Sequence, residues 1–161
     1  MTKKNIQFAV EIYASSDELT TGDAALLAAA RAATEHAYAP YSKFLVGSVA
    51  ALENGITIAG TNQENASYPV GICAERVLLS IVAAQYPGVA VNSIAISYNN
   101  LHGESNHPIS PCGICRQSLA EYEDRVNHPI RIIMSGMKGP VYIVESARQL
   151  LPLSFSASDL E

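Results

Sequence analysis

The sequence contains no tryptophan and only three cysteines among its 161 residues. An odd and small number of cysteines cannot close a disulfide framework, so reduced thiols and a cytoplasmic location are expected. No uninterrupted apolar run approaches the ~20 residues of a membrane-spanning helix. The N-terminal stretch does not have the form of a signal peptide, because Gln7 and Glu11 interrupt its apolar residues. We therefore expect neither disulfides nor a membrane partner.

Positive charge is also scarce, since 10 Lys and Arg face 15 Asp and Glu, for a formal net charge of −5. Long nucleic acids and anionic membranes are bound through many basic side chains, so both are disfavoured as partners. Aromatic residues make up only 7%, too few for the stacking channel of a polynucleotide-editing enzyme. With 48% hydrophobic residues and no repeat or linker, the sequence predicts one domain over 1–161 and a small-molecule partner.

The order of the predicted elements indicates an α/β fold. Asn54-Gly55 joins two apolar runs and favours a tight hairpin, while alternation from Ile6 to Ile12 predicts an additional N-terminal strand. Ser146 followed by Gln149 predicts a capping box for a last short helix. The other predicted elements are helices over 23–37 and 74–86 and from 111 onward, and strands over 46–52, 56–59, 91–97, 130–135 and 141–145. This alternation predicts a mixed sheet with helices on both faces.

All three cysteines fall where predicted helices begin. Cys73 precedes the helix over 74–86, while Cys112 and Cys115 lie in PCGIC at the start of the next helix. Helix N-termini favour thiolates, and three thiolates with one free position fit a catalytic zinc better than a structural one. Glu75 would face the same helix start, in the pattern of zinc deaminases that use a non-ligating glutamate as acid and base. Buried free cysteines and a CxxC redox pair are the alternatives.

Five segments resemble the cytidine deaminase family, specifically its small homotetrameric branch. They are YAPYSKF at 38–44, NQENASY at 62–68, CAER at 73–76, PCGICRQ at 111–117 and LLPLSFSASDL at 150–160, in the family's order. The resemblance covers roughly 19–160 and leaves 1–18 as an N-terminal extension. It implies a three-layer α/β/α sandwich with a mixed five-stranded sheet, to which the extra strand would add. It also implies one Zn²⁺ per subunit, held by the three cysteines, and a homotetramer with shared active sites.

The implied activity is hydrolytic deamination of cytidine and 2′-deoxycytidine, with release of ammonia, in pyrimidine salvage. By resemblance, Phe44 packs against the base, and Asn62 and Glu64 bind the ribose hydroxyls. Ala74 offers its backbone amide to the pyrimidine carbonyl, and Phe155 reaches the active site of a neighbouring subunit. Each of these residues also has a structural explanation, such as core packing for Phe44 or loop polarity for Asn62.

Three thiolates on Zn²⁺ give a formal charge of −1, which weakens the metal as a Lewis acid. By resemblance, Arg76 donates hydrogen bonds to the cysteine ligands and offsets this charge, with Arg116 as a second donor. Either arginine could instead be a solvated helix charge. None of the four histidines is predicted to bind the metal, because they lie in polar loops or lack a partner at ligand spacing.

The sequence departs from the family's pattern at Leu45, at Pro69 and in a longer connection over 99–107. These departures leave substrate range and assembly open. A deaminase of a modified cytosine nucleoside, such as a blasticidin-type antibiotic, shares the same metal motifs. A non-catalytic, zinc-stabilised interaction module is the alternative from another class, and a fourth protein ligand on the metal would indicate it.

Overall fold

A six-stranded mixed sheet forms the middle layer of the computed structural model, which describes residues 1–160. The strand order is β1-β6-β5-β4-β2-β3, and the β4–β5 pair is parallel while the other pairs are antiparallel. The strands are β1 (Glu11–Tyr13), β2 (Phe44–Leu52), β3 (Thr57–Thr61), β4 (Val91–Asn100), β5 (Arg131–Ser135) and β6 (Val141–Val144). The first strand is the one added to the five that were expected.

Helices cover both faces of this sheet. The helices are α1 (Thr21–Ala33), α2 (Ala74–Gln85) and α3 (Gly113–Val126). Successive residues of β4 point to opposite faces, so Ala95 packs in the core under α1 while Ile94 and Ile96 pack in the core with α2 and α3. The predicted three-layer α/β/α sandwich is therefore confirmed. Among residues 1–160, no helix is long and apolar enough to cross a membrane.

Two glycines let the helices lie directly on the sheet. A Cβ atom on Gly60 of β3 would lie 2.5 Å from the Ala74 carbonyl oxygen and 2.5 Å from the Leu78 amide nitrogen. Gly47 of β2 lies equally close to the backbone of α1 at Ala30. Because the obstructing atoms belong to helix backbone, a side chain at either glycine would push the helix away from the sheet. Gly60 thus fixes where the first turn of α2 lies.

The N-terminal strand is shorter than its alternating pattern predicts. Only Glu11–Tyr13 pairs with β6, and the apolar side chains of Ile6, Phe8 and Val10 remain 52%, 45% and 39% exposed. The partner strand ends at Val144 and the chain then turns away. Continuing the register would place Val10 opposite Val144, the last residue of β6, and all earlier residues beyond its end, so the prediction of a strand over 6–12 is wrong in extent.

The predicted capping box at Ser146 and Gln149 is wrong. Residues Ala147–Leu150 form a 3-10 helix, and the Ser146 hydroxyl donates to the carboxylate of Glu123 at 2.9 Å. Glu123 is buried in α3 and also accepts from the backbone amides of Ala147 at 2.8 Å and Ile130 at 2.6 Å. The cap is thus supplied by a residue that is distant in the sequence.

Replacing Gly60 with alanine tests whether close packing at this glycine seats α2. We expect Gly60→Ala to lower the free energy of unfolding by about 1–3 kcal/mol, because the helix backbone cannot move aside as a side chain does. Gly22→Ala is the matched control, since a Cβ at Gly22 in α1 meets nothing within 4 Å. Denaturant unfolding of both variants gives the comparison. Equal stability of the two variants would contradict the role assigned to Gly60.

Candidate active site

The starts of α2 and α3 bring the three thiols together. Cys73 is the N-cap residue of α2, Cys112 is the N-cap residue of α3, and Cys115 lies in the first turn of α3. Their sulfur atoms all lie within 4.8 Å of one another, with 3.7 Å between Cys73 and Cys112 and 3.5 Å between Cys112 and Cys115. The cluster that the sequence predicts is therefore present.

The thiols influence one another's protonation. Hydrogen bonding with the Cys115 thiol lowers the pKa of Cys73 to about 6. The same contact, with burial as a further cause, raises the pKa of Cys115. One thiolate is thus stabilised before any metal binds, and a bound cation would stabilise the other two as thiolates.

The donor set suits zinc. Tetrahedral zinc with Zn–S bonds of about 2.3 Å places its sulfur ligands about 3.8 Å apart, close to the sulfur separations observed. No histidine, aspartate, glutamate or further cysteine among residues 1–160 joins this group of metal-binding atoms. Three protein donors leave the fourth tetrahedral position for a water molecule or a substrate, as in catalytic zinc sites.

Glu75 lies beside the cysteines in the first turn of α2. Glu75 is only 5% exposed, and this burial raises the pKa of its carboxyl group. Hydrogen bonds from its own backbone amide and from Cys115 partly oppose the rise. A cavity of about 190 Å³ opens onto this carboxylate. The cavity is lined by Cys73, Cys112, Ala74, Glu75, Val46, Asn62, Ile109 and Ser110. A small planar ring could therefore reach both the metal position and an acid–base group.

Ala74 and Asn62, to which the family resemblance assigns substrate contacts, lie in the wall of this cavity. Ala74 is fully buried at the start of α2, where backbone amides have no partner within the helix. The Asn62 side chain holds the start of β2, since its oxygen accepts from the Val46 amide at 2.8 Å and its nitrogen donates to the Phe44 carbonyl at 2.9 Å. One N–H of Asn62 remains for a ligand.

Glu64 is not part of the cavity beside the cysteines. Its carboxylate accepts from the backbone amides of Tyr41 at 2.8 Å and Ser42 at 3.2 Å. Hydrogen bonding with Ser42 is the main cause that lowers the pKa of Glu64. It lies in a neighbouring cleft of about 430 Å³ together with Tyr41 and Tyr68. Its predicted contact with a ribose therefore stays a prediction.

A family model described as "Cytidine and deoxycytidylate deaminase zinc-binding region" matches residues 20–128. The chain belongs to the cytidine deaminase family. The matched region contains all three cysteines and Glu75, and it begins after the N-terminal segment that carries β1.

Relatives and solved structures agree with this membership. The chain is 36% identical to a cytidine deaminase of Sporosarcina psychrophila over 84% of this chain and 92% of the relative. It is 33% identical to a cytidine deaminase of Halalkalibacterium halodurans over 80% and 89% of the two chains. A crystal structure of cytidine deaminase from Burkholderia pseudomallei superposes with a TM-score of 0.71 at 40% identity, covering 85% of this chain and all of that one.

Arg76 and Arg116, which the family resemblance assigns to the metal ligands, make different contacts. Arg76 makes no hydrogen bond to a cysteine among residues 1–160, and its charge adds to the stronger effect of Cys115 in lowering the pKa of Cys73. Arg116 donates to the Pro111 carbonyl at 2.8 Å, to the Ser110 hydroxyl at 3.0 Å and to the Leu150 carbonyl at 3.2 Å. Arg116 therefore supports the cavity wall at Ser110 and the C-terminal segment.

Phe155 lies away from the cavity of its own chain. Its ring does not line that cavity, the residue is 59% exposed, and its backbone carbonyl accepts from the Gln117 side chain at 2.8 Å. This placement leaves the ring free to contact another molecule.

Sequence reasoning missed Tyr98 and His107. Tyr98 is 1% exposed, and its ring stacks on Phe44 with 4.8 Å between centroids and 12° between planes. The predicted strand ends at residue 97, but the observed strand continues to Asn100. Ile94 and Ile96 alternate on one face of the strand, and two residues further this pattern places Tyr98 on the same face. No sequence signal connects Tyr98 to His107.

Proposed function

We propose that the protein is a zinc-dependent cytidine deaminase that converts cytidine and 2′-deoxycytidine to uridine and 2′-deoxyuridine with release of ammonia. We place this reaction in pyrimidine salvage in the cytoplasm. The observation that carries the proposal is a three-thiol metal site beside the buried carboxylate of Glu75, in a cavity of about 190 Å³. The names of the relatives support the choice of substrate.

The proposed chemistry needs a nucleophile and a proton carrier. Cys73, Cys112 and Cys115 would hold Zn²⁺, which would supply the nucleophile by lowering the pKa of a bound water toward neutrality. Glu75 takes a proton from the attacking water, delivers it to N3 of the pyrimidine, and then assists the departure of the C4 amino group as ammonia. Burial raises the pKa of Glu75, which favours the protonated carboxyl group that this transfer requires.

The remaining residues hold the substrate and balance the charge. The backbone amide of Ala74 donates to the pyrimidine carbonyl, and Asn62 donates its free N–H to the ribose. Phe44 does not line the cavity of about 190 Å³ itself, but it shares a face of β2 with the lining residue Val46, from which its ring would form a wall for the base. Glu64 would reach the ribose from the neighbouring cleft. Arg76 would offset the formal charge of three thiolates, which the effect of its charge in lowering the pKa of Cys73 supports.

We further propose a homotetramer in which Phe155 of one chain completes the active site of a neighbour. The exposed ring of Phe155 and its fixed backbone support this arrangement. A chain whose cavity is open on one side would gain a wall by association.

The variant Glu75→Gln separates proton transfer from metal binding. We expect it to keep one zinc per chain but to lose turnover by about 10²–10⁴-fold, because the amide cannot carry the proton. Cys112→Ala is the comparison, and we expect it to lose zinc together with activity. Metal analysis and the ultraviolet absorbance change of cytidine on the same samples measure both properties. Turnover near the wild-type rate in Glu75→Gln, or zinc-loaded wild-type protein without turnover, would overturn the proposed function.

Mixed tetramers test the sharing of active sites. Glu75→Gln chains retain Phe155, and Phe155→Ala chains retain Glu75, so co-expressed chains should form some intact sites and exceed the activity of either parent. Co-expressed Glu75→Gln and Cys112→Ala chains are the control. Each chain then lacks a residue of its own metal and acid–base site, so no mixture of the two contains an intact site. Absence of a gain in the first mixture, or a monomeric mass in light scattering, would sink the shared-site arrangement.

A further inference from the structure

The ring of Phe44 rests on an aromatic pair that the catalytic chemistry does not use. Phe44 stacks on Tyr98, and the Tyr98 hydroxyl lies 3.2 Å from Nδ1 of His107. The imidazole meets the Tyr98 ring edge-on, with 5.8 Å between centroids and 66° between planes. Three rings thus form a continuous series from the 101–108 loop to the start of β2.

The buried hydroxyl of Tyr98 depends on His107 for its hydrogen bond. Because Tyr98 is 1% exposed, a hydroxyl without a hydrogen-bond partner at this position would destabilise the folded protein. Within residues 1–160, the imidazole of His107 is the group that bonds this hydroxyl. The nearby oxygen of Asn106, 3.3 Å from the same Nδ1, also holds the imidazole. His107 therefore holds the hydroxyl end of the Tyr98 ring.

The 101–108 loop is anchored at its first residue and again at Ser105 in its middle. Its first amide, at Leu101, donates to the Lys43 carbonyl at 3.0 Å, directly before Phe44. The buried Ser105 accepts from the Asn100 amide at 2.8 Å through its hydroxyl and from the Lys138 amide at 3.2 Å through its carbonyl. This loop therefore delivers His107 to a fixed position.

Close packing beneath the loop has the same effect. Side chains are excluded at Gly136 and Gly139, because a Cβ on either would clash with the carbonyl oxygen of Ser105 or of Asn106. The turn between β5 and β6 thus presses directly against the loop backbone. The backbone that carries His107 is thus held in place beside Tyr98.

We propose that His107 is a positioning residue which, through Tyr98, fixes Phe44 as a rigid wall for the pyrimidine base. The proposal rests on the proposed function in its use of Phe44. Asn62 lines the cavity and binds the Phe44 carbonyl, so the backbone at Phe44 is fixed from one side and its ring from the other. When the wall is already ordered, substrate binding does not include the free-energy cost of ordering it. We therefore expect the effect to appear in substrate affinity.

The kinetic test replaces His107 and compares KM with kcat for cytidine. We expect His107→Ala to raise KM about three- to tenfold, the range of one aromatic stacking contact, with kcat within about twofold and zinc content unchanged. His107→Gln can still bond the hydroxyl and should restore a KM close to wild type. His102→Ala is the control in the same exposed loop, since only the backbone amide of His102 is hydrogen-bonded. An unchanged KM in His107→Ala, or a loss of kcat alone, would overturn the proposal.

Tyr98→Phe keeps the stacked ring and removes only the hydroxyl. We expect the same rise in KM, and no further rise when it is combined with His107→Ala, because both changes break one interaction. Fully additive effects would contradict a path from His107 through Tyr98 to Phe44.

A spectroscopic readout separates this proposal from the proposed function. The chain has three phenylalanines, so ¹³C-phenylalanine labelling gives three ring environments. We expect His107→Ala to shift the ring signals of Phe44 and to leave those of Phe8 and Phe155 in place, while His102→Ala shifts none. If wild-type protein does not turn over cytidine, the proposed function fails, and this spectrum still decides whether His107 positions Phe44. Unshifted Phe44 signals would refute the positioning role.

Discussion

The metal site depends on two helices that begin side by side on one face of the sheet. Three thiols meet within 4.8 Å because α2 and α3 each start with a cysteine and α3 carries another in its first turn. Helix starts also supply unpaired amides and a positive dipole end, which favour thiolates and leave amides for a substrate. The same geometry places Glu75 next to the sulfur atoms but outside the metal-binding group. The metal position, the proposed acid–base group and the proposed substrate-binding amide therefore come from one structural arrangement.

Much of this site could be predicted because its signals are local in the sequence. Cysteines at helix starts, and a glutamate two residues after Cys73, need only correct helix boundaries to be placed together. The hairpin at Asn54-Gly55 and the order of the predicted strands and helices likewise predict a mixed sheet covered on both faces, as found. The five motifs in the family's order then indicate the family, because such ordered agreement is very unlikely by chance.

Other features depend on contacts between distant segments and left no local signal. The Ser146 turn is capped by Glu123 from α3, so the local pattern with Gln149 led to the wrong cap. The N-terminal alternation predicts a longer strand than the short partner strand can pair. His107 reaches Tyr98 only because the loop packs on the turn between β5 and β6. Such relations follow from the tertiary path of the chain and not from periodicity.

The central claim is that the three cysteines form a catalytic zinc site with one open position. X-ray absorption spectroscopy of the zinc-loaded protein measures this coordination directly. The account predicts three sulfur ligands at about 2.3 Å and one oxygen ligand at about 2.0 Å, with an unchanged spectrum in Glu75→Gln. A fourth protein ligand, or an oxygen ligand that disappears in Glu75→Gln, would contradict the account and would favour a closed, non-catalytic zinc site.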